Sequence, residues 1–250
     1  MYQQSASYNS GPSSYSNASS YAGQSSVYAV QGGYSSHNNY AANSEGNIAP
    51  YQDMEPQHAA SIAEVFLEEQ RPWTPIIEQS SEVAEVIKQT FERITGQVFP
   101  QEDIKISVVS AQVLHQAHNL FGGCAGDGLR GFSLNRYGKG TSEIFVKEDH
   151  LDSVLLTIGH EIGHVLSPSL PSQKDEEAKA HAFSIAWMEC IRDNNICGLK
   201  PNIRLNPARN GLHDVAYDFV QHLLRTGASA LDIFKTLAQG LTSMIARIET

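Results

Sequence analysis

The chain has 250 residues, 41% of them hydrophobic, and a formal net charge of −10. This apolar content is enough for one folded domain, and the acidic balance without any basic run argues against a nucleic-acid partner. No run of about 18 apolar residues occurs, so the sequence predicts no membrane span. Three cysteines without a repeated spacing do not resemble a disulfide framework, which favours a cytoplasmic location. The chain start lacks the basic and apolar regions of a signal peptide, although secretion without a signal would leave no such mark.

The first 55 residues are dominated by Ser, Tyr, Asn, Gln, Gly and Ala, which predicts a disordered tail over 1–55. Such a segment buries too little apolar surface to offset the entropy lost on ordering. Its tyrosines recur every six or seven residues from Tyr2 to Tyr40, a spacing typical of tracts that associate weakly with themselves. The tail therefore has two interpretations, self-association or solubility alone, and residues 56–250 form the predicted folded domain.

Apolar periodicity predicts the elements of the first half of this domain. In chain order they are helix 59–70, helix 81–95, strand 104–109 and helix 111–119. Ser80 or Ser81 would cap the second helix, and Gly96 would end it. A glycine-rich loop follows at 121–128, and then come two strands, 129–136 and 143–147. The Gly138-Lys139-Gly140 segment between these strands is typical of a hairpin.

Four helices are predicted for the second half. They span 151–166, 174–193, 211–226 and 229–248. The fold class expected from this order is α+β, with a small sheet that contains an antiparallel hairpin and is followed by helices.

The most informative motif is Gly159-His160-Glu161-Ile162-Gly163-His164, inside the helix predicted at 151–166. Residues four apart lie on one face of a helix, so both imidazoles can bind the same tetrahedral Zn²⁺. Glu161 lies next to that face and is placed to take a proton as a general base. The surrounding residues are apolar, and a buried helix carries two histidines and a glutamate only where they have partners. We therefore predict one zinc ion per chain at an HExxH motif.

A catalytic zinc site needs a third protein ligand, and the helix predicted at 174–193 offers three candidates: Glu176, Glu177 and His181. A helical projection does not separate the two glutamates, because both flank the apolar arc about equally. His181 follows Glu177 by four residues and shares its face. The residues alone leave these three candidates open.

The motif and the hairpin strand before it resemble the gluzincins, HExxH peptidases whose third zinc ligand is a Glu on the next helix. The similarity is greatest to their small soluble branch, the minigluzincins and ImmA/IrrE-like peptidases, and covers roughly residues 100–195. In that branch the fourth motif residue is often Gly, as at Gly163, and Ala typically follows the ligand Glu, as in Glu177-Ala178. The resemblance implies a zincin-like fold with His160, His164 and Glu177 as ligands. A His181 ligand would instead resemble the SprT-like peptidases.

The same resemblance has implications for the substrate. The strand at 143–147 would be the edge strand that lines the cleft and pairs with an extended peptide. Gluzincins often stabilise the oxyanion with a downstream His or Tyr, and His213 and Tyr217 lie four residues apart on the helix predicted at 211–226. A packing role would explain that pair equally well.

Cys124 lies in the glycine-rich loop ahead of the motif. A thiolate there could occupy the open zinc position and keep a peptidase latent. An ordinary loop cysteine is the alternative interpretation.

The function expected from these observations is a zinc metalloendopeptidase. It would hydrolyse peptide bonds of a protein or peptide substrate by Glu161-assisted attack of a zinc-bound water. One alternative is a non-catalytic regulatory zinc protein whose tail recruits partners. Another is a secreted effector or toxin peptidase with the same chemistry.

Overall fold

A computed structural model describes residues 64–123, 128–205 and 215–244. The predicted tail at 1–55, Cys124 and His213 lie outside the described residues. The described part contains six α-helices and five short strands, which confirms the α+β class. Helices α1 to α6 span Ala84–Thr95, Ala111–Leu120, Leu151–Val165, Gln173–Asp193, Val215–Arg225 and Ala230–Ala238. Strands β1 to β5 span Ile76–Ile77, Ile104–Val109, Gly131–Leu134, Ser142–Lys147 and Asp149–His150.

The start of α1 differs from the prediction, whereas its end is confirmed. A short 3₁₀ helix at Ser80–Glu82 precedes α1, and the serine cap was wrong. The carboxylate of Glu82 instead accepts the backbone N–H of Gln79 at 2.8 Å. At the other end Gly96 has φ 69°, a left-handed conformation that glycine adopts without steric cost.

Two predicted helices were too long within the described residues. The chain turns at Phe66, and Leu67 forms a β-bridge with Ile203, so no helix continues to residue 70. Helix α6 ends at Ala238, and Gly240 follows with φ 68°. In both places apolar residues continue at a helical spacing after the helix has ended. Buried residues of an irregular segment can show the same spacing, so the sequence pattern did not mark the end of the helix. Residues 59–63 and 245–250 lie outside the described ranges.

The main sheet has three strands in the order β2-β4-β3, with β2 parallel and β3 antiparallel to β4. The predicted hairpin between β3 and β4 is confirmed. The strand predicted at 143–147 is β4, which lies in the middle of the sheet, so its assignment as the edge strand was wrong. After β2 the chain passes through α2 and β3 before it reaches β4. This long connection allows β2 to pair in parallel with β4, on the side of β4 opposite to β3.

Helix α3 carries the HExxH motif and packs against β3, β4 and α4. Its side chains Val154, Leu155 and Ile158 are fully buried, as predicted. A Cβ added at Gly163 would lie 2.8 Å from Cα of Ala180, so the missing side chain lets the α3 and α4 backbones come together. This close approach brings the face of α3 that carries His160 and His164 to the first turns of α4. No helix within the described ranges combines the length and apolar character needed to cross a bilayer.

Asp152, at the start of α3, is 1% exposed and links distant parts of the chain. Its carboxylate accepts hydrogen bonds from Arg71 Nε at 2.9 Å, Asn202 Nδ2 at 2.8 Å and Thr74 Oγ1 at 3.3 Å. We expect Asp152→Ala to lower the free energy of unfolding by about 3 kcal/mol, because it leaves a guanidinium and an amide without their partner. Urea denaturation measures this change.

Asp193 provides the control for that measurement. It pairs with Arg192 at 2.8 Å, but its side chain is 60% exposed. Asp193→Ala should change the free energy of unfolding by about 0.5 kcal/mol or less. Equal effects of the two substitutions would contradict the structural role of Asp152.

Candidate metal centre

Three donor atoms converge where α3 meets α4. Nε2 of His160 and Nε2 of His164 are 3.3 Å apart. The carboxylate of Glu177 places Oε2 3.6 Å from His160 Nε2 and Oε1 3.8 Å from His164 Nε2. Within the described part of the chain, this is the group of His, Cys, Asp and Glu side chains that could hold a metal ion.

The donor set fits zinc in both chemistry and spacing. Ligands at about 2.0–2.1 Å from a tetrahedral zinc ion lie roughly 3.3–3.4 Å from one another. The two histidine nitrogens already have this separation, at 3.3 Å, and one atom from each of the three side chains lies within 4.8 Å of the other two. Two histidines with one carboxylate also form a donor set of catalytic zinc sites, in which the fourth position stays open.

The electrostatics of this cluster favour a cation. Burial lowers the pKa of His164, but the carboxylates of Glu177, Glu176 and Glu161 more than reverse this and raise it to about 9. Burial raises the pKa of Glu177, yet the neighbouring imidazoles lower it to about 2. The pKa of His160 is lowered, chiefly by burial. The carboxylates around His164 thus attract positive charge to the point where the donor atoms meet.

Glu161 is 5% exposed and directly follows His160, the first of the three donor residues, on α3. Its charge contributes to the raised pKa of His164, which places the carboxylate near the ligand cluster. No hydrogen bond from a described residue occupies it. A carboxylate that is buried beside the ligands in this way is available to accept a proton.

The structure places Glu176 and Glu177 on different sides of His164. Glu177 belongs to the donor group, whereas Oε1 of Glu176 lies 2.9 Å from His164 Nδ1, the ring nitrogen that faces away from the donors. Oε2 of Glu176 accepts the backbone N–H of Leu170 at 2.8 Å. Burial raises the pKa of Glu176, but the hydrogen bond and charge of His164, together with Lys179 and the backbone N–H of Leu170, outweigh this and the net pKa is lowered.

His181 lies behind His160 and outside the donor group. It is 1% exposed, and its ring centroid is 5.1 Å from that of His160 and 5.8 Å from that of Tyr217. The hydroxyl of Tyr217 donates to the carbonyl of Leu205 at 3.4 Å, and burial raises the pKa of this phenol to about 12. The structure therefore brings Tyr217 to His181 but directs its hydroxyl to a backbone carbonyl.

Two side chains that the sequence analysis did not single out hold the end of α3. The amide of Asn135 donates to the carbonyl of His164 at 2.6 Å and to that of Ser167 at 2.8 Å. Lys179, which is fully buried, donates to the same His164 carbonyl at 3.2 Å. Neither residue carries a recognisable sequence signal: Asn135 follows a strand like any turn residue, and Lys179 resembles a surface lysine paired with a glutamate.

Comparisons with protein-family models, with curated proteins and with solved structures found no match for this chain. The functional interpretation therefore depends on the geometry and chemistry of the site itself. A fold class shared by many unrelated activities would in any case not decide the function.

Proposed function

We propose that this protein is a zinc-dependent peptidase of the HExxH type, similar to the gluzincins. The observation that carries the proposal is that His160, His164 and Glu177 bring donor atoms within 4.8 Å of one another beside Glu161, which is 5% exposed. A metal site of this kind is built for hydrolysis when a general base lies next to it.

In the proposed reaction, the three ligands hold the ion and Glu161 moves the proton. Zinc, when bound, polarises the scissile carbonyl and makes water more acidic. Glu161 takes a proton from the attacking water and passes it to the leaving amine as the carbon–nitrogen bond breaks. Both products then carry their new termini, and Glu161 returns to its ionised form.

The proposed substrate is an extended stretch of polypeptide. Strand β3 pairs with β4 on one side, and no other described strand pairs with it. A peptide in extended conformation would add to the other side of β3, which pairs with no described strand, through backbone hydrogen bonds. Asn135, which directly follows β3, holds the carbonyl of His164, so the end of this strand is tied to the metal-binding helix.

The state of Glu161 favours catalysis over a purely structural zinc site. Its carboxylate acts electrostatically on His164 and accepts no hydrogen bond from a described residue, and a structural zinc site has no use for such a group. A general base needs a carboxylate that stands next to the metal position and is not engaged elsewhere.

The test is Glu161→Gln in the full chain, with zinc content and peptide hydrolysis measured on the same preparation. We expect one zinc per chain in both proteins and a fall in kcat/KM of about 100-fold to 10,000-fold, because the amide cannot accept the proton. A library of unstructured peptides serves as substrate, so that the assay does not depend on one cleavage sequence.

Glu92→Gln is the matched control, because Glu92 is exposed on α1. It should leave both zinc content and hydrolysis at the wild-type level. Full hydrolysis by zinc-loaded Glu161→Gln would rule out the proposed base. Stoichiometric zinc without hydrolysis of any peptide by the wild type would instead support the regulatory zinc protein.

A further inference from the structure

A lysine lies fully buried under the metal centre. Lys179 is 0% exposed, and its Nζ contacts Glu176 Oε2 at 2.9 Å, the His164 carbonyl at 3.2 Å and the Pro168 carbonyl at 3.4 Å. Removing an ammonium group from water costs several kcal/mol unless partners compensate. The three oxygen partners account for the burial, and two of them belong to, or directly contact, the ligand His164.

Glu176 connects this lysine to the imidazole of His164. Its Oε1 lies 2.9 Å from His164 Nδ1, while its Oε2 accepts from Lys179 and from the backbone N–H of Leu170. With both oxygens engaged, the carboxylate has little freedom to rotate. The side chain of Glu176 is 15% exposed, so its contacts are only weakly screened by water.

A carboxylate in this position determines how an imidazole binds metal. When Nδ1–H donates to the carboxylate, the lone pair that remains is on Nε2, the atom that faces His160 and Glu177. The hydrogen bond also fixes the rotation of the ring. Because Lys179 holds the backbone carbonyl of the same residue, both ends of His164 are fixed by one connected group.

We propose that Glu176 and Lys179 form a positioning pair that presents Nε2 of His164 to the metal. Glu176 acts directly on the imidazole, and Lys179 acts through Glu176 and through the His164 carbonyl. The inference rests on the metal centre of the proposed function, but it requires no hydrolysis.

The experiment measures zinc affinity of the full chain by competition with a chromophoric chelator, and the visible spectrum of the Co²⁺-substituted protein. Glu176→Ala should weaken zinc binding by about 10-fold to 100-fold, the usual effect of losing such a partner. Glu176→Gln should weaken it by about 3-fold to 10-fold, because the amide oxygen still accepts from Nδ1–H but carries no charge. The cobalt absorption bands should shift in both variants, because Glu176→Ala frees the His164 ring to rotate and Glu176→Gln removes the negative charge that raises the basicity of the imidazole.

Lys179→Met tests whether the lysine acts through the glutamate. Alone, it should weaken zinc binding by about 3-fold to 10-fold, because Glu176 loses the partner that orients it. Combined with Glu176→Ala, it should add less than it costs alone, because only its contact with the His164 carbonyl is then lost. An additive loss in the double variant would overturn the pairing.

Asp175→Asn is the matched control on the same turn of α4. Asp175 is 7% exposed, but its carboxylate accepts from Ser243 Oγ and from the backbone N–H of Met244, both at 2.7 Å. Its substitution should lower thermal stability while zinc affinity and the cobalt spectrum stay at wild-type values. This variant separates loss of a buried carboxylate from loss of ligand positioning.

Wild-type zinc affinity and an unchanged cobalt spectrum in Glu176→Gln would overturn the inference, and this variant decides the matter even if Glu176→Ala fails to fold. If the wild type binds zinc and hydrolyses peptides but the Glu176 variants match it, the positioning pair alone is refuted. If the wild type binds neither zinc nor cobalt, the proposed function fails together with the inference.

Discussion

Zinc is expected to raise the midpoint of thermal unfolding of the wild-type protein and to leave that of His160→Ala unchanged. A ligand that binds only the folded state stabilises it by about 2.7 kcal/mol when its free concentration is about 100 times Kd. For a domain of this size, that corresponds to a rise of roughly 5–11 °C. His160→Ala removes one of the three donors, so zinc should no longer shift the midpoint.

The same measurement distinguishes the three candidates for the third ligand. Glu177→Gln should lose most of the zinc-induced shift, because an amide oxygen is a much weaker zinc ligand than a carboxylate. His181→Ala should retain the shift, because His181 lies outside the donor group. Each variant is compared with and without zinc, so any loss of intrinsic stability cancels.

An unchanged midpoint of the wild type at saturating zinc would refute the metal centre. A shift that survives in Glu177→Gln but disappears in His181→Ala would make His181 the third ligand, and the site would then resemble that of the SprT-like peptidases.

Gly163→Ala is expected to destabilise the protein and to weaken zinc binding at the same time. In an isolated helix, alanine is favoured over glycine by about 1 kcal/mol. Here the added Cβ would lie 2.8 Å from Cα and 2.9 Å from the carbonyl oxygen of Ala180. Both are backbone atoms, so α3 and α4 must separate, and Glu177 must move away from the two histidines.

We expect a fall of about 1–3 kcal/mol in the free energy of unfolding, the usual cost of overpacking, and at least a tenfold rise in the Kd for zinc. Urea denaturation in the presence of a chelator measures the first change, and chelator competition measures the second. A variant with higher stability and wild-type zinc affinity would show that the contact between the helices does not set the ligand geometry.

Gly159→Ala is the informative comparison. Its Cβ would meet the Trp187 side chain, with Cδ1 at 2.4 Å, and no backbone atom is among its nearest contacts. Trp187→Leu should therefore relieve part of its cost, and the two substitutions should be coupled in a double-mutant cycle. No side-chain change offers the same relief to Gly163→Ala.

Much of the chain from α3 to α4 could be predicted from the sequence. The helical period of the apolar residues gave both helices to within one residue at each end, and the same period placed His160 and His164 on one face. The pairing of strands could not be predicted, because alternation shows which faces of a strand are buried but not which strands are its neighbours. The resemblance to gluzincins had placed β4 at the sheet edge, whereas it lies between β2 and β3.

The helical period did not separate Glu176 from Glu177, and only the resemblance to gluzincins selected Glu177, the residue that lies in the donor group. Adjacent residues on a helix differ by about 100° in direction, and which of them meets the metal depends on how α4 is rotated against α3. That rotation is set by tertiary contacts such as Gly163 with Ala180. The role of Lys179 could not be predicted for a similar reason, since a lysine three residues after a glutamate ordinarily forms a solvent-exposed ion pair with it.

The donors His160, His164 and Glu177 all belong to one helical hairpin, α3 followed directly by α4. In the unfolded chain, a metal that joins them closes only a short loop, and short loops lose little configurational entropy on closure. The Asp152 contacts instead join segments far apart in the chain, from Arg71 to Asn202. Zinc could thus be captured by a hairpin that has formed before the distant segments dock, which would make metal supply during synthesis part of how the chain reaches its fold.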